Sequence, residues 1–292
     1  MKIRGLIAII LNYKDFDSSI NIASRLLLNN GINKVIIVDN YSQNNSYEII
    51  SQRFYGDEKV DVILNNKNSG YAQGNNLGIR HAIKSNYIGD YLIVNPDTDI
   101  NKDQFEIFLS NFYKLKDIHG SALGCVGPRI QGVGSGGWNI PTLFDDIIDN
   151  FLFSKRLIKR FKNNDRSYPI MEVEVVSGCF FAISSSVFKK INLFDEDTFL
   201  YCEERIIANK LKSIKCKSFI IENSEVIHNH TFATNWKSEF KSYKELVKSR
   251  IIYHKKYDKT NNFKDLLYKI SVVIGKIERI AYFKIKELKN KL

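Results

Sequence analysis

Cysteine is scarce in this chain, and its placement excludes two kinds of site. Only four cysteines occur in 292 residues, Cys125, Cys179, Cys202 and Cys216. No two of them stand in a C-x-x-C spacing, so the sequence predicts neither a zinc site nor a redox-active dithiol. Single, scattered cysteines are typical of proteins that work in a reducing cytosol.

Long hydrophobic runs are absent as well. No apolar segment approaches the roughly 20 residues that a bilayer-spanning helix needs. Residues 1–11 carry Lys2 and Arg4 ahead of an apolar run and so resemble a signal peptide, but they lack a small-residue cleavage site. We interpret this segment as the first strand of the fold and expect a cytoplasmic protein.

The chain has no zinc finger, RNP-type aromatic motif or other nucleic-acid signature, although its net charge is +11. Such a charge implies an anionic partner, which can be a phosphorylated substrate, an anionic membrane or nucleic acid. Because the motifs are missing, we rank nucleic acid last and expect no nucleic-acid partner. A basic surface that meets only solvent is the simpler alternative.

The sequence does contain an alternation of short apolar runs with helical patterns. Strands are predicted at residues 5–11, 34–38, 60–64 and 91–94, and helices at residues 46–54 and 75–85. This alternation predicts an α/β fold with a mostly parallel sheet covered on both faces. Right-handed crossovers would bring the carboxyl end of every strand to one rim, together with Asn12, Asp39 and residues 65–68 and 95–99.

The most informative segment is a buried strand that ends in two carboxylates. It reads Tyr91-Leu92-Ile93-Val94-Asn95-Pro96-Asp97-Thr98-Asp99. Open α/β sheets bind ligands at the carboxyl ends of their strands. Asp97 and Asp99 can share a hard divalent cation, which in turn can hold a diphosphate. The alternative is that they only cap the helix that follows.

Several further motifs make the chain resemble glycosyltransferase family 2, the inverting enzymes of GT-A fold. They are Ile9-Ile10-Leu11-Asn12-Tyr13, Val38-Asp39-Asn40-Tyr41-Ser42, the run from Asn68 to Arg80, Val126-Gly127-Pro128-Arg129, Ser177-Gly178, Phe194-Asp195-Glu196 and Phe199-Leu200-Tyr201-Cys202-Glu203-Glu204. The chain is most similar to the bacterial rhamnosyltransferase-type branch that builds surface polysaccharides. The resemblance covers about residues 5–256 and implies a GT-A (Rossmann-like) domain over residues 1–256, with a donor half at about 1–125 and an acceptor half at about 126–256.

The resemblance implies a site for a dTDP- or UDP-sugar donor. The candidate donor-binding residues are Asn12, Tyr13, Asp39, Asn68, Gly70, Asn95 and Asp97, with Asp39 accepting hydrogen bonds from the base. Asn95-Pro96-Asp97 stands where the family has Asp-x-Asp, so Asp97 is the leading ligand for Mg²⁺ or Mn²⁺. Asp99, His228 and His230 are the further candidate metal ligands, and the sequence does not decide which histidine faces the site.

Inverting transfer requires a base that takes a proton from the acceptor hydroxyl. The family's catalytic pair is Glu-Asp after an aromatic run, and this chain has Glu203-Glu204, so Glu204 is the candidate base with Glu203 beside it. A pair of surface acids at the start of a helix is the alternative. The Gly-rich loop at residues 132–138 is interpreted as a connection near the acceptor, with a plain flexible loop as the simpler alternative. Trp138 and Gly178 are the candidate acceptor-side residues.

The carboxyl-terminal segment, residues 257–292, is predicted to be a basic amphipathic helical extension. Its apolar stripe includes Leu267, Ile270, Ile274 and Ile277, with lysines and arginines opposite. Such a helix suits an anionic membrane surface or a partner helix, and packing on its own domain is an equal alternative. We expect a peripheral protein on the cytoplasmic face of the inner membrane, with a homodimer as a further option.

These observations favour a metal-dependent inverting glycosyltransferase. It would move rhamnose or another hexose from a dTDP- or UDP-sugar to a polysaccharide or lipid-linked saccharide in bacterial cell-surface glycan synthesis. A nucleotidyltransferase is disfavoured because Asn12-Tyr13-Lys14-Asp15 stands where such enzymes place a Gly- and Arg-rich phosphate loop. A non-catalytic GT-A scaffold in a membrane polysaccharide assembly complex is the alternative, since Asn95 replaces an acid of the family motif.

Overall fold

The computed structural model describes residues 5–132, 134–152, 169–229 and 236–289. The chain divides into two compact units, one of Met1–Asn139 and Ser167–His230 and the other of Ile140–Arg166 and Thr231–Leu292. The second unit thus combines a segment from the middle of the chain with the carboxyl-terminal part. The sequence instead predicts a single domain boundary at residue 256.

The first unit is built around a central sheet. Its described strands are β1 (Leu6–Asn12), β2 (Ile32–Asp39), β3 (Val60–Leu64), β4 (Asp90–Val94), β5 (Thr98–Asp99), β6 (Leu123–Ile130), β8 (Ile170–Val173), β10 (Phe180–Ile183) and β11 (Lys217–His228), while β7 (Gly137–Trp138) and β9 (Val175–Val176) form a separate ribbon. The strand order is β3-β2-β1-β4-β10-β6-β11-β5, and β8 pairs with β11. Strands β3, β2, β1 and β4 are parallel to one another, and the rest of the sheet is mixed.

The helices of the first unit connect these strands and flank the sheet. They are α1 (Phe16–Leu27), α2 (Ser46–Arg53), α3 (Tyr71–Lys84), α4 (Lys102–His119), α6 (Ser185–Lys190) and α7 (Glu203–Ser213). Asp15 starts α1 because its carboxylate accepts a hydrogen bond from the Ser18 amide at 3.2 Å. Asn101 caps α4 in the same way through the Gln104 amide at 2.9 Å.

Strand β1 shows why the sheet is buried on both faces. Its alternate residues Leu6, Ala8 and Ile10 pack into one core cluster with helices α1 and α4. Ile7 and Ile9 pack into the other cluster, with residues of α3 and α7. Because side chains alternate between the two faces of a strand, a continuous apolar run is what such a position requires. The predicted α/β class, with a central sheet flanked by helices, is confirmed.

The parallel strands end at one rim, as the sequence predicts. Asn12 pairs with Asp39 across β1 and β2, and Asp39 pairs with Leu64 of β3. On the other side of β1, Ile10 pairs with Val94 at the end of β4. The polar residues that follow these strands therefore lie along one edge of the sheet.

Strand β10 is an exception, as are β5 and β8. Strand β10 runs antiparallel to β4, with Phe180 opposite Val94, so its amino end lies at the rim. The prediction that every strand has its carboxyl end there is wrong for these three strands. The direction of β10 brings Gly178 and Cys179, which precede this strand, to the rim. There the Asn95 amide donates to the Cys179 carbonyl at 2.8 Å.

The second unit is helical in its described part. It contains α5 (Leu143–Asn150), α8 (Trp236–Tyr253), a π-helical turn (His254–Asp258) and α9 (Asn262–Lys289). Tyr243 and Val247 of α8 pack against Tyr268 and Val272 of α9 in a small core. The predicted carboxyl-terminal helical extension is confirmed by α9. None of the described helices is long and apolar enough to cross a membrane.

Candidate active site

Asp97 lies in a tight turn between β4 and β5. The Thr98 hydroxyl and amide both donate to the Asn95 carbonyl, at 2.7 and 3.2 Å, which closes the turn. Thr98 pairs with His228 at the end of β11, and the Asn229 amide donates to the Asp97 carbonyl at 2.8 Å. This pairing brings His228 Nε2 to 3.3 Å from Asp97 Oδ1, with both side chains half-buried. His230 lies outside the described residues.

Asp99 has a different partner. Its Oδ1 forms an ion pair with Arg25 Nε of α1 at 3.0 Å. A guanidinium at this distance offsets the negative charge of the carboxylate. The second candidate carboxylate of the strand end is therefore engaged by a helix of the fold.

The residues around Asp97 fit a divalent ion that receives most of its ligands from a substrate. Within the described ranges, no group of three or more His, Cys, Asp or Glu side chains is arranged to hold a metal ion. Asp97 Oδ1 and His228 Nε2 nevertheless lie close enough to bind one ion together. Mg²⁺ is commonly held by one or two carboxylates together with substrate phosphates and water. Asp97, with His228 beside it, can supply the protein ligands of such a site.

Glu203 and Glu204 begin helix α7. The two residues before them, Tyr201 and Cys202, have φ angles of 74° and 70°, a left-handed conformation that is uncommon for residues with a side chain. These two residues turn the chain sharply from the 194–200 loop into α7. Glu203 is buried, whereas Glu204 is half-buried and also lines a small apolar cavity with Val176, Phe181 and Ile207.

The loop that contains Gly178, between β9 and β10, lies against the Glu204 carboxylate. The Gly178 backbone forms a hydrogen bond with the Glu204 carboxylate. A β-carbon added at Gly178 would lie 2.7 Å from Glu204 Oε1, so only glycine allows this approach. The Tyr71 hydroxyl of α3 donates to the Gly178 carbonyl at 2.8 Å, which fixes the loop from a third element.

The same loop connects Glu204 with Asp97. Burial is the main cause that raises the pKa of the Cys179 thiol to about 11, and the negative charges of Asp97 and Glu204 raise it further. Cys179 is also the residue whose carbonyl accepts from the Asn95 amide. Residues that are far apart in the sequence, at the end of β4 and the start of α7, are therefore neighbours of one loop.

Burial sets the acid–base properties of the two glutamates. It raises the pKa of the Glu204 carboxyl, against hydrogen bonds from the backbone of Glu204 and Gly178 that lower it. It also raises the pKa of the Glu203 carboxyl, and the neighbouring Glu204 charge raises it further. Burial and both glutamates raise the pKa of the Tyr71 phenol, so Tyr71 stays protonated and remains a donor.

Asn12 and Asp39 form a buried polar pair at the rim. Asn12 Nδ2 donates to Asp39 Oδ2 at 2.7 Å, and the Ser42 amide donates to Asp39 Oδ1 at 3.0 Å. Asp39 is only 1% exposed. Its hydrogen bond with Asn12 joins the ends of β1 and β2. Tyr13 and Tyr41 follow the same two strands and are exposed. Aromatic faces of this kind can stack on a nucleoside base.

Asn68 and Gly70 belong to a network that supports this rim. Asn68 Oδ1 accepts from Asn40 Nδ2 at 3.1 Å and from the Gly70 amide at 3.0 Å. Gly70 has a φ of 99°, and a β-carbon there would lie 2.1 Å from the Phe199 carbonyl oxygen. The close approach that Gly70 permits is thus to the 199–200 loop, whose Phe199 carbonyl accepts from the Tyr71 amide at 2.9 Å.

Trp138 lies on the ribbon next to the Gly178 loop. It pairs with Val175 across β7 and β9, and its ring is exposed. The Ser177 amide donates to the Gly136 carbonyl at 2.9 Å, which ties the Gly-rich loop to the segment before Gly178.

Three contributors are missed by reasoning from the sequence alone. Tyr71 carries no signal beyond its place in a motif, and its hydroxyl reaches a loop 107 positions away. Ser42 and Arg25 are equally ordinary in the sequence, yet one completes the Asp39 pair and the other neutralises Asp99. The contacts of Tyr71 and Arg25 join distant segments, and such contacts leave no periodic or spacing pattern that could reveal them.

Comparison with solved structures defines the class of the fold. The chain aligns with GalNAc-T7, solved with UDP, GalNAc and Mn²⁺, at a TM-score of 0.58 and 15% identity, over 77% of this chain and 43% of that chain. It aligns with the mannosyltransferase PcManGT from Pyrobaculum calidifontis, solved with GDP-Man and Mn²⁺, at a TM-score of 0.58 and 11% identity, over 94% of this chain and 73% of that chain. A third is S. aureus TarS residues 1–349 with UDP, at a TM-score of 0.52 and 13% identity, over 90% of this chain and 69% of that chain. The fold is that of GT-A glycosyltransferases.

Residues 20–192 match the family model described as glycosyl transferase family 2. The chain therefore belongs to glycosyl transferase family 2 and is a glycosyltransferase. A curated relative is the low-salt glycan biosynthesis hexosyltransferase Agl10 of Haloferax volcanii, 26% identical over 258 residues, which cover 86% of this chain and 77% of the relative. The family and the activity class predicted from the motifs are confirmed.

Proposed function

We propose that this glycosyltransferase moves a hexose, such as rhamnose, from a dTDP- or UDP-sugar to a saccharide or lipid-linked saccharide acceptor, with inversion at the sugar carbon. The observation that carries the proposal is the loop of Gly178 and Cys179, which lies against the Glu204 carboxylate on one side and accepts from the Asn95 amide, two residues before Asp97, on the other. One carboxylate can act on the acceptor hydroxyl while the other faces the donor diphosphate. The proposed place in bacterial surface-glycan synthesis rests on the motifs, and the relative from Haloferax volcanii supports a role in glycan biosynthesis.

In this proposal Glu204 is the general base. Burial raises the pKa of its carboxyl, which makes its carboxylate a stronger proton acceptor than an exposed glutamate. The Gly178 backbone orients the carboxylate, and Tyr71 in turn holds the Gly178 carbonyl. Glu204 takes the proton as the acceptor oxygen attacks the sugar carbon, and the nucleoside diphosphate leaves with the bonding electron pair.

Asp97 and His228 would hold Mg²⁺ or Mn²⁺. When bound, such an ion neutralises the negative charge of the departing diphosphate. We leave Asp99 out of this ligand set because Arg25 already pairs with it. Two of the structural neighbours were solved with Mn²⁺ and a sugar or nucleotide sugar, which supports a divalent ion here without choosing between the two metals.

The donor would lie along the rim that carries Tyr13, Asp39 and Asn95. Asp39 Oδ1 and Oδ2 already accept one hydrogen bond each, and a carboxylate oxygen can accept a second from the base. Gly178 and Trp138 remain the proposed acceptor side. The association with an anionic membrane surface that the basic carboxyl-terminal helix suggests belongs to the same proposal.

A non-catalytic scaffold is the second candidate. It is favoured by Asn95 in place of an acid and by the near-complete burial of Asp39, since both weaken the donor site. A scaffold could bind the donor without any turnover, so sugar transfer to an acceptor distinguishes the two candidates.

Thermal unfolding with a panel of nucleotide-sugars, with Mn²⁺ and with EDTA, tests the donor site. We expect dTDP- or UDP-sugars to raise the melting temperature only when the metal is present, because a ligand that binds the folded state stabilises it by mass action. Asp97→Ala should abolish the metal-dependent increase in melting temperature. Asp103→Ala, which removes an exposed carboxylate from the first turn of α4, should leave it intact. The absence of any nucleotide response in the wild-type protein would contradict the proposal.

A further inference from the structure

Helix α9 exposes an apolar face along most of its length. Leu266, Ile270, Val273, Ile274, Ile277 and Ile280 are all exposed. They recur at spacings of three and four residues, so they lie on one side of the helix. We call this side the outer face of α9. At 1.5 Å per residue these side chains span about 21 Å of the 28-residue helix, and their close spacing makes the outer face a continuous apolar strip rather than a few isolated side chains.

The opposite side of α9 is fixed by specific contacts, so the helix cannot rotate to bury the outer face. Asn150 of α5 donates from Nδ2 to the Ser271 hydroxyl at 2.9 Å. Arg279 Nη1 donates to the Asn150 carbonyl at 2.6 Å, and Gly275 lies against that same carbonyl. A rotation would leave these buried polar groups without partners and would expose Tyr268 and Val272, which are now buried.

The charge of the chain is concentrated in the unit that contains α9. The sequence of the second unit holds 22 Lys and Arg against 10 Asp and Glu, whereas that of the first holds 21 against 22. The net charge of +11 therefore belongs to the second unit. A second copy would bring the same positive charge to the interface, and an anionic lipid surface would bring the opposite charge.

We propose that the outer face of α9 inserts into the interfacial region of an anionic lipid bilayer, with the lysines of the helix at the headgroups. Lys269 and Lys276 lie along one edge of the strip and Lys284 lies within it, where long side chains can reach the headgroup level while their methylene stems stay in apolar surroundings. The inference rests on the membrane association proposed above and assigns it to particular side chains. It needs no catalytic residue of the first unit.

Vesicle co-sedimentation of the full-length protein tests this inference. We expect binding to phosphatidylcholine vesicles that contain phosphatidylserine and much weaker binding to phosphatidylcholine alone. The double substitution Ile270→Glu/Ile277→Glu should reduce binding at least roughly tenfold, because it removes two inserting side chains and adds two charges. The matched control is Ile88→Glu/Ile118→Glu, the same change at two isoleucines of the first unit that are at least as exposed, and this variant should bind as the wild type does.

The vesicle experiment is interpreted with controls for folding, for the added charge and for self-association. Melting temperature and helix content must be unchanged in the double variant, and Ile270→Ser/Ile277→Ser, without added charge, should still lose binding. Equal vesicle binding by wild type and the α9 variant would overturn the inference. So would a wild-type dimer that does not bind vesicles and becomes a monomer in the α9 variant, since the occupant would then be a second copy. Nucleotide-sugar stabilisation of both variants reports separately on the donor site, so failure of the catalytic proposal is recognised independently.

Discussion

At the scale of single residues, Glu204 combines a raised carboxyl pKa with a fixed orientation at the start of α7. We expect Glu204→Gln to lower kcat by about 10²–10⁴-fold, the usual contribution of a general base, with little change in donor affinity. Initial-rate kinetics with the preferred nucleotide-sugar measure this. Glu172→Gln, which changes an exposed acid paired with Lys217, is the control and should be fully active.

The pH profile of the wild-type enzyme offers a second measurement on the same residue. The base must be deprotonated, and burial raises the pKa of the Glu204 carboxyl. Activity should therefore fall on the acid side at a higher pH than an ordinary glutamate would cause. An acid limb at the pH of an exposed carboxyl would contradict the assignment of Glu204.

Gly178 gives a prediction that separates geometry from chemistry. Gly178→Ala leaves every ionisable group in place, but the added methyl would lie 2.7 Å from Glu204 Oε1 and displace the carboxylate. A displacement of about 1 Å can cost roughly 100-fold in rate, and we expect a loss of that size in kcat. Ser177→Ala, one residue earlier, removes only a weak contact with the Cys179 sulfur and should retain activity.

At the scale of elements, a buried ionic cluster joins α5, α8 and the π-helical turn of the second unit. His254 Nε2 lies 2.8 Å from Asp146 of α5, and its Nδ1 lies 2.6 Å from Asp258 of the turn. Arg250 of α8 pairs with the same Asp146 at 3.1 Å. Two carboxylates around one imidazole favour its doubly protonated form, since both ring nitrogens can then donate.

This cluster predicts a pH-dependent stability of the second unit. Burial by itself would lower the pKa of the His254 imidazole, but hydrogen bonds and charge from Asp146 and Asp258 outweigh it, and the pKa is raised. The contribution is therefore fully present below the ordinary histidine pKa of about 6.5 and is lost as the pH rises through the raised value. Melting temperatures of wild type and His254→Gln should differ most near pH 6 and converge at alkaline pH. A difference that grows with pH would be incompatible with this cluster.

At the scale of the whole molecule, much of the first unit follows from local pattern. The apolar runs at β1, β2, β3 and β4 and the helical periodicity between them predict the parallel half of the sheet. Their polar terminal residues, Asn12 and Asp39 among them, lie at the predicted rim because strand direction and crossover handedness leave no other arrangement. The family motifs indicate the activity class in the same way.

Other features depend on pairings between distant segments. The antiparallel entry of β10, which brings Gly178 to the rim, and the pairing of β5 with β11, which brings His228 to Asp97, are both of this kind. The sequence also leaves open whether the outer face of α9 is buried. Contacts of the opposite helix side with Asn150 decide that it is exposed.

The sequence by itself therefore determined the fold class, the enzyme family and the candidate acids, because periodicity, strand ends and motifs are local properties of a chain. Only the tertiary structure decided which of those groups lie together: Asp97 with His228, Asp99 with Arg25, and Glu204 with Gly178 and Tyr71. The physical reason is that such contacts depend on strand order and direction across the sheet. Both are set by the packing of the whole core rather than by any single segment.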